Sequence, residues 1–353
     1  MRICLELKMK KLGISLGLLA IFLLAPPAKS ALGAFIGFDM LRQLLILNRT
    51  AIEGKEAQKQ EAASTGEGDE GEGKESKRTH AGGKAHFSTL LLIGDAETAE
   101  LSAEIGFADF TVEAAEGDTL IQVEVDYKAD ESQMPVVDYR REDGHVVISL
   151  QSAESPSQRD LDILGAAEST WHVRLGRAVV WSLALDLGYC ENSIELGGLK
   201  VGSLTIESGL SETMLSFSEP NSVVLENCDI ESGLGSFEAM RLGNALMRRF
   251  TLDNGLGSSI LDFSGRALQE DLNATIESGL GSVKMRLPNG LPVLMQLEST
   301  FGSSDLPRFR EIEDGLYRSV PYLEGAPALR ADVSVGMGSI TIIWVTKERF
   351  RRE

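Results

Sequence analysis

From Phe87 onward, apolar and polar residues alternate with a period of two, and glycine interrupts the alternation at intervals. Such alternation predicts strands with one covered face. One phrase returns at the interruptions. It reads Ile206-Glu207-Ser208-Gly209-Leu210-Ser211, then Ile230-Glu231-Ser232-Gly233-Leu234-Gly235-Ser236. It comes again as Leu252-Asp253-Asn254-Gly255-Leu256-Gly257-Ser258 and Ile276-Glu277-Ser278-Gly279-Leu280-Gly281-Ser282. Looser copies stand at Leu297-Glu298-Ser299-Thr300-Phe301-Gly302-Ser303 and Val333-Ser334-Val335-Gly336-Met337-Gly338-Ser339. Upstream, Ala103-Glu104-Ile105-Gly106-Phe107 and Leu185-Asp186-Leu187-Gly188-Tyr189 fit the same frame. Between Gly188 and Thr300 the copies recur about every 21 to 24 residues, a period that signals a solenoid. Each copy predicts strand, glycine-bracketed corner, strand. The whole predicts an all-β fold, a parallel β-solenoid or β-helix-like stack.

Two columns of the repeat carry further expectations. The residue between the glycines stays apolar: Phe107, Tyr189, Leu210, Leu234, Leu256, Leu280, Phe301 and Met337. That constancy predicts a side chain that points inward and stacks in a ladder, each stabilising by roughly 1.5–3 kcal/mol. The acid two residues before the first glycine also recurs, as Glu104, Asp186, Glu207, Glu231, Asp253 and Glu277. Strand alternation sets it opposite Ile206, Ile230 and Ile276, facing solvent. Rungs in register would hold these carboxylates about 4.8 Å apart, where neighbours repel by roughly 0.9 kcal/mol in water. Either the row is a solvated negative face that keeps the sheet soluble, or Glu207, Glu231, Asp253 and Glu277 form a cation ladder. Calcium is the natural hard ion for such oxygen ligands.

The first 86 residues differ in kind. Within 1–30, Lys8, Lys10 and Lys11 precede an apolar run, Leu12 to Ala25, then Pro26-Pro27 and the small residues Ala28 and Ser30. This is the pattern of a secretory signal, and the run is shorter than the about 20 residues a membrane-spanning helix needs. Met9 offers an alternative start. Residues 31–48 are apolar again, but Asp39, Arg42 and Gln43 interrupt them. Leu32, Phe35, Ile36, Leu41, Leu44, Leu45 and Leu47 fall where one helical face would gather them. Two readings stand: a cleaved signal followed by an amphipathic helix, or one uncleaved anchor made of both stretches. Residues 49–86, rich in Gly, Glu and Lys, bury too little apolar surface to offset the entropy of ordering and predict a disordered acidic linker. The β-solenoid is then 87–346, with Ser152 to Asp162 as a long loop, and 347–353 is a charged tail.

Charge narrows the partners. Of 353 residues, 34 are Lys or Arg and 53 Asp or Glu, a net charge of -19. That argues against a nucleic-acid surface, which must be basic, and disfavours broad docking on anionic lipid. Membrane contact is expected through the N-terminal segment only, and the partner is expected to be an envelope protein or glycan. Export implies an oxidising compartment, so a Cys190–Cys228 disulfide must be weighed. Cys190 falls in a corner and Cys228 in a strand two repeats away, roughly 9–10 Å off, beyond the about 7 Å a disulfide spans. Both cysteines are expected to be unpaired, Cys228 buried. His80, His86, His145 and His172 lack zinc-site spacing. The Gly-Leu-Gly-Ser corner lacks the helix and lysine of a nucleotide loop. No catalytic residue or cofactor is expected, calcium being the one candidate ion. A polysaccharide-active site would have to draw on Asp262, Asp271, Lys284 and Arg286, which read better as scattered charges. The segment 305–326 breaks the period. There Phe309, Tyr317 and Tyr322 either offer exposed partner contacts or cover the solenoid end.

The stretch from about Phe87 to Val345 resembles the toast-rack domain of LiaF-like cell-envelope proteins, which is related to adhesin heads. The residues that carry the resemblance are Trp171-His172-Val173-Arg174-Leu175, the strand from Leu183 to Gly188, and Leu261-Asp262-Phe263-Ser264-Gly265. To these add Ser278-Gly279-Leu280-Gly281-Ser282 with Leu287-Pro288, and the closing Gly336-Met337-Gly338-Ser339-Ile340. The resemblance implies a right-handed parallel stack and membrane-attached relatives that modulate envelope stress responses. It carries over no catalytic residues. This chain has one signal-like segment where those relatives have several transmembrane helices. The expectation is an exported, non-enzymatic envelope module, membrane-anchored or secreted/periplasmic, that binds in the manner of an adhesin. The alternative is a regulator of envelope stress acting on a membrane partner, and the least favoured is an enzyme on polysaccharide.

Overall fold

The long strands of this protein bend at their glycines and continue. In the computed structural model, residues 75–81, 84–128, 134–152 and 169–346 are described, within the unit Gly68–Glu353. The signal or anchor, the helix expected at 31–48, most of the linker, the loop after Ser152 and the tail lie outside the described residues. The stack is built from β3 (Thr98–Ala114), β8 (Val180–Glu195), β9 (Lys200–Ser216), β10 (Leu225–Met240), β11 (Met247–Asp262), β12 (Leu272–Pro288), β13 (Val293–Asp305) and β16 (Leu329–Val345). Neighbours in this stack are parallel and in register, Ile206 beside Ile230, Ile230 beside Leu252, Leu252 beside Ile276. Each strand therefore contributes one arm before the corner and one after it. The sequence reading of an all-β parallel stack with glycine-bracketed corners is the fold observed.

Shorter strands close the N-terminal end. The first arm of β3 pairs with β6 (His145–Gln151), which pairs with β5 (Val136–Glu142). Its second arm pairs with β7 (Ser169–Leu175), followed outward by β4 (Thr119–Lys128), β2 (Lys84–Leu92) and β1 (Glu75–Ala81). The domain thus begins before Phe87, and the linker reading is corrected at its C-terminal end. Among the described residues β1 is an edge strand paired only with β2, so backbone hydrogen bonds hold it without the apolar pattern that marks a covered strand. In the sequence, Gly82-Gly83 between them is a hairpin signal.

At the other end, spatial order departs from chain order. β16 lies between β12 and β13. Composition explains the exchange. β16 brings Leu329, Ala331, Val333, Val335, Ile340 and Ile342, all buried, whereas β13 beyond Leu297 is exposed throughout and carries Ser299 and Ser304 where β16 has Val335 and Ile340. The strand with apolar residues along both arms takes the covered place, and the polar one takes the end. The hairpin of β14 (Phe309–Glu313) and β15 (Leu316–Ser319) then pairs along the first arm of β13.

The core lies between the arms. In β9 the buried residues are Val201, Leu204, Ile206 and Ser208 before the corner, then Ser211, Thr213 and Leu215 after it. Trp171 and Trp181 are fully buried, and the Trp181 indole donates to the Gly176 carbonyl at 2.8 Å. Asn221 fastens the return connections: its amide donates to the carbonyls of Val201 (2.8 Å) and Ala245 (3.1 Å) and accepts from the Val201 N–H. Asn244 repeats the device, donating to the Phe217 carbonyl and accepting from the Arg266 N–H, both at 2.9 Å. Among the described residues no helix is long and apolar enough to cross a membrane.

Candidate functional site

The corners do not do what the apolar column predicted. Ser208 and Ser211 both face inward although they are three residues apart, so the corner holds one residue more than strict alternation allows. Gly209 and Leu210 bridge the gap on the outside. The extra residue resets the phase of the strand and turns the apolar residue outward. Leu210 is 50% exposed, Leu234 37%, Met337 50% and Phe301 75%. Phe107, Tyr189, Leu256 and Leu280 are partly exposed. The expected buried ladder is an external ridge.

The ridge is continuous. Phe107 stands beside Tyr189, Tyr189 beside Leu210, Leu210 beside Leu234, Leu234 beside Leu256, Leu256 beside Leu280, Leu280 beside Met337 and Met337 beside Phe301. The Phe107 and Tyr189 rings stack with centroids 4.9 Å apart. From β10 onward the strands also approach closely at a second glycine after the apolar residue. Gly281 has φ +150°, and a Cβ there would collide with the carbonyl oxygen of Gly257 on the next rung. Beneath the ridge a buried polar row follows, Ser208, Ser232, Asn254 and Ser278, in which the Asn254 amide finds no hydrogen-bond partner among the described residues.

Two polar rows flank the ridge. On the side of the first arm, Glu104, Asp186, Glu207, Glu231, Asp253 and Glu277 stand in register on six adjacent strands. The expected alignment of carboxylates is present. The Asp186 carboxyl is raised above its ordinary value, first by desolvation and then by the charges of Glu207 and Glu104. Among the described residues no group of three or more His, Cys, Asp or Glu is placed to hold a metal ion. On the second arm, Ser236, Ser258, Ser282, Ser339 and Ser303 form a hydroxyl row that starts beside Glu212. That row is legible in the sequence as the repeated Gly-Leu-Gly-Ser.

The remaining candidates are dispersed. Cys228 is free and fully buried, and desolvation pushes its thiol up. It stands beside Leu204, whereas the backbone of Cys190 stands beside Ser211, well along the same neighbouring strand. His86 pairs with Asp126 at 2.8 Å, His145 bonds Thr98 at 2.8 Å, and His172 stands beside Glu124 on a third strand. Asp262 is buried and accepts from the Ser264 N–H at 2.9 Å. Asp271 accepts from the Ala328 N–H and from Arg330, and Arg286 reaches Met240. The structure places Asp262 beside Arg286, with Lys284 two residues earlier on the same strand, but sets Asp271 just before the other end of that strand, so the four do not form one site. Phe309 and Tyr317 are half-buried against the core, Phe309 with its ring 5.8 Å from that of Trp344. Tyr322 is half-buried under the Arg318 guanidinium, 5.4 Å away. A cleft of about 520 Å³ at the far ends of the second arms is lined by Ser218, Arg241, Ser264 and Arg266.

A surface made by repetition, with identical positions recurring on every rung, defines a class: a repeat scaffold that presents a long face. Residues 69–240 match the family described as the N-terminal domain of toast_rack, DUF2154. Among solved structures, the chain is similar to a candidate cell adhesion protein from Clostridium sporogenes, at 15% identity and TM-score 0.40, over 77% of this chain and 100% of that one. It is also similar to a candidate adhesin from Parabacteroides merdae, at 12% identity and TM-score 0.30, over 73% and 96%. A candidate lipid binding protein from Parabacteroides distasonis is 11% identical with TM-score 0.27, over 73% and 96%. No curated protein matches the chain.

Proposed function

We propose that the protein is a non-enzymatic binding module of the cell envelope, exported on its N-terminal segment and presenting its rack to another envelope component. The observation that carries the reading is the corner ridge, an exposed apolar line maintained on eight adjacent strands. Repetition of one contact along a line suits recognition of an extended partner rather than chemistry at a point. The signal-like run at Leu12 to Ala25, the acidic linker and the toast-rack match support the setting.

Cell fractionation with protease shaving, N-terminal sequencing of the product and binding of the purified protein to isolated envelopes test the reading together. A mature N-terminus near Ala31 with saturable envelope binding supports the exported module. An intact N-terminus retained in the membrane turns the reading toward a regulator that acts on a membrane partner. Cytoplasmic retention with no envelope binding overturns both.

A further inference from the structure

We infer that the corner ridge docks a cationic amphipathic helix of a partner protein, its apolar stripe on the ridge and its basic residues over the acid row. This deepens the binding-module reading and rests on it. Solubility alone would not keep a water-facing position apolar on eight successive rungs while acids and hydroxyls line both its sides. Stacking between neighbours shields part of the ladder, as in Phe107 against Tyr189. Yet Leu210, Met337 and Phe301 remain 50%, 50% and 75% exposed beside their neighbours.

Length and spacing favour a helix. Seven steps of about 4.8 Å make a ridge of about 34 Å, which a helix of about 22 residues would cover. A helix returns to one face about every 5.4 Å, near enough to the rung spacing for several consecutive turns to meet consecutive rungs. An extended segment returns about every 6.6 Å and loses step within two rungs.

Charge selects among helical occupants. Six carboxylates run parallel to the ridge on one flank, while the other flank carries serine on five strands and acid at Glu212 and Glu191. A basic row on one side of the partner's stripe would meet the acids, and the asymmetry fixes which way round it lies. A second copy of this chain would bring another acid row and a net charge of -19. An anionic bilayer would be repelled in the same way.

The test uses the full chain and a labelled 22-residue helix with a leucine stripe flanked on one side by lysine. Three control peptides replace lysine by glutamate, scramble the stripe, or move lysine to the other flank. The chain is compared with a ridge variant, Leu210→Ser/Leu234→Ser/Leu280→Ser, and an acid-row variant, Glu207→Gln/Glu231→Gln/Asp253→Asn. A second ridge variant, Phe301→Ser/Met337→Ser, guards against misfolding of the first, and circular dichroism checks all of them. The expected result is a loss of about tenfold or more in affinity for each variant, about 1.4 kcal/mol, with a flatter salt dependence for the acid-row variant. Scrambled and glutamate peptides bind at least about tenfold more weakly than the parent. Equal binding by folded ridge variants and the native chain overturns the inference, because charge alone would then suffice. Ridge-dependent self-association in sedimentation, or ridge-dependent binding to neutral phosphatidylcholine vesicles without peptide binding, overturns it in favour of a second copy or a bilayer. Ridge variants that keep full binding to isolated envelopes sink this inference and leave the module reading standing. Failure of the native chain to bind envelopes sinks that reading instead.

Discussion

Gly281 shows how much of the rack depends on single atoms. Its φ of +150° disfavours any side chain, and a Cβ would meet the Gly257 carbonyl, part of the backbone and unable to swing aside. Gly281→Ala is expected to cost about 3 kcal/mol, read as a lowered midpoint in urea. Asp186 makes a second prediction at this scale. Its raised pKa means the fold prefers the protonated form, so the ionised carboxylate costs stability at neutral pH. That cost is relieved as pH falls through the raised value toward the ordinary carboxylate range. Asp271 and Asp95 behave oppositely. The Ala328 N–H and Arg330 hold Asp271 low, and Arg141 holds Asp95 low. Their contribution is present above the ordinary range and lost as pH falls through the lowered values. Thermal melting should therefore show a Tm that rises slightly on mild acidification and drops below about pH 4. Asp186→Asn should abolish the rise and keep the drop.

At the scale of the element, the corner is where the fold reads differently from the pattern. Ile230 and Leu234 belong to one strand, and both look like core residues in the sequence. Ile230 is 1% exposed and Leu234 37%. Ile230→Ala is expected to cost about 2–5 kcal/mol and Leu234→Ser less than about 1 kcal/mol, both from chemical denaturation. The parallel stack, the register and the outward acid row were all legible, because alternation and period report them directly. The direction of Leu234 was not. It depends on one extra residue between Ser232 and the second arm, and a repeat that keeps that residue in every copy looks the same whichever way it turns. β1 was missed for a different reason: an edge strand held by backbone bonds needs no apolar signature. β16 was recognised as a rung, but its place between β12 and β13 is set by which strand has more apolar surface to cover, a comparison that no single repeat contains.

For the whole molecule, the acid row bears on behaviour in salt. Six aligned carboxylates on a chain of net charge -19 should make stability rise with ionic strength as repulsion is screened. Among the described residues, no cluster of ligands is placed to hold an ion. Calcium, magnesium and potassium at matched ionic strength are therefore expected to raise Tm equally in differential scanning fluorimetry. A calcium-specific rise would restore the cation ladder of Glu207, Glu231, Asp253 and Glu277.

The place of β16 also bears on how the protein comes into being. It is the last of the described strands to leave the ribosome, yet it is a middle rung. Until it arrives, β12 presents a bare edge, and β13, which carries the same corner phrase, is the nearest strand able to fill it. A chain broken off before Leu329 is expected to leave the β12 edge open to β13, whose second arm is polar. It would lack the buried residues from Leu329 to Ile342.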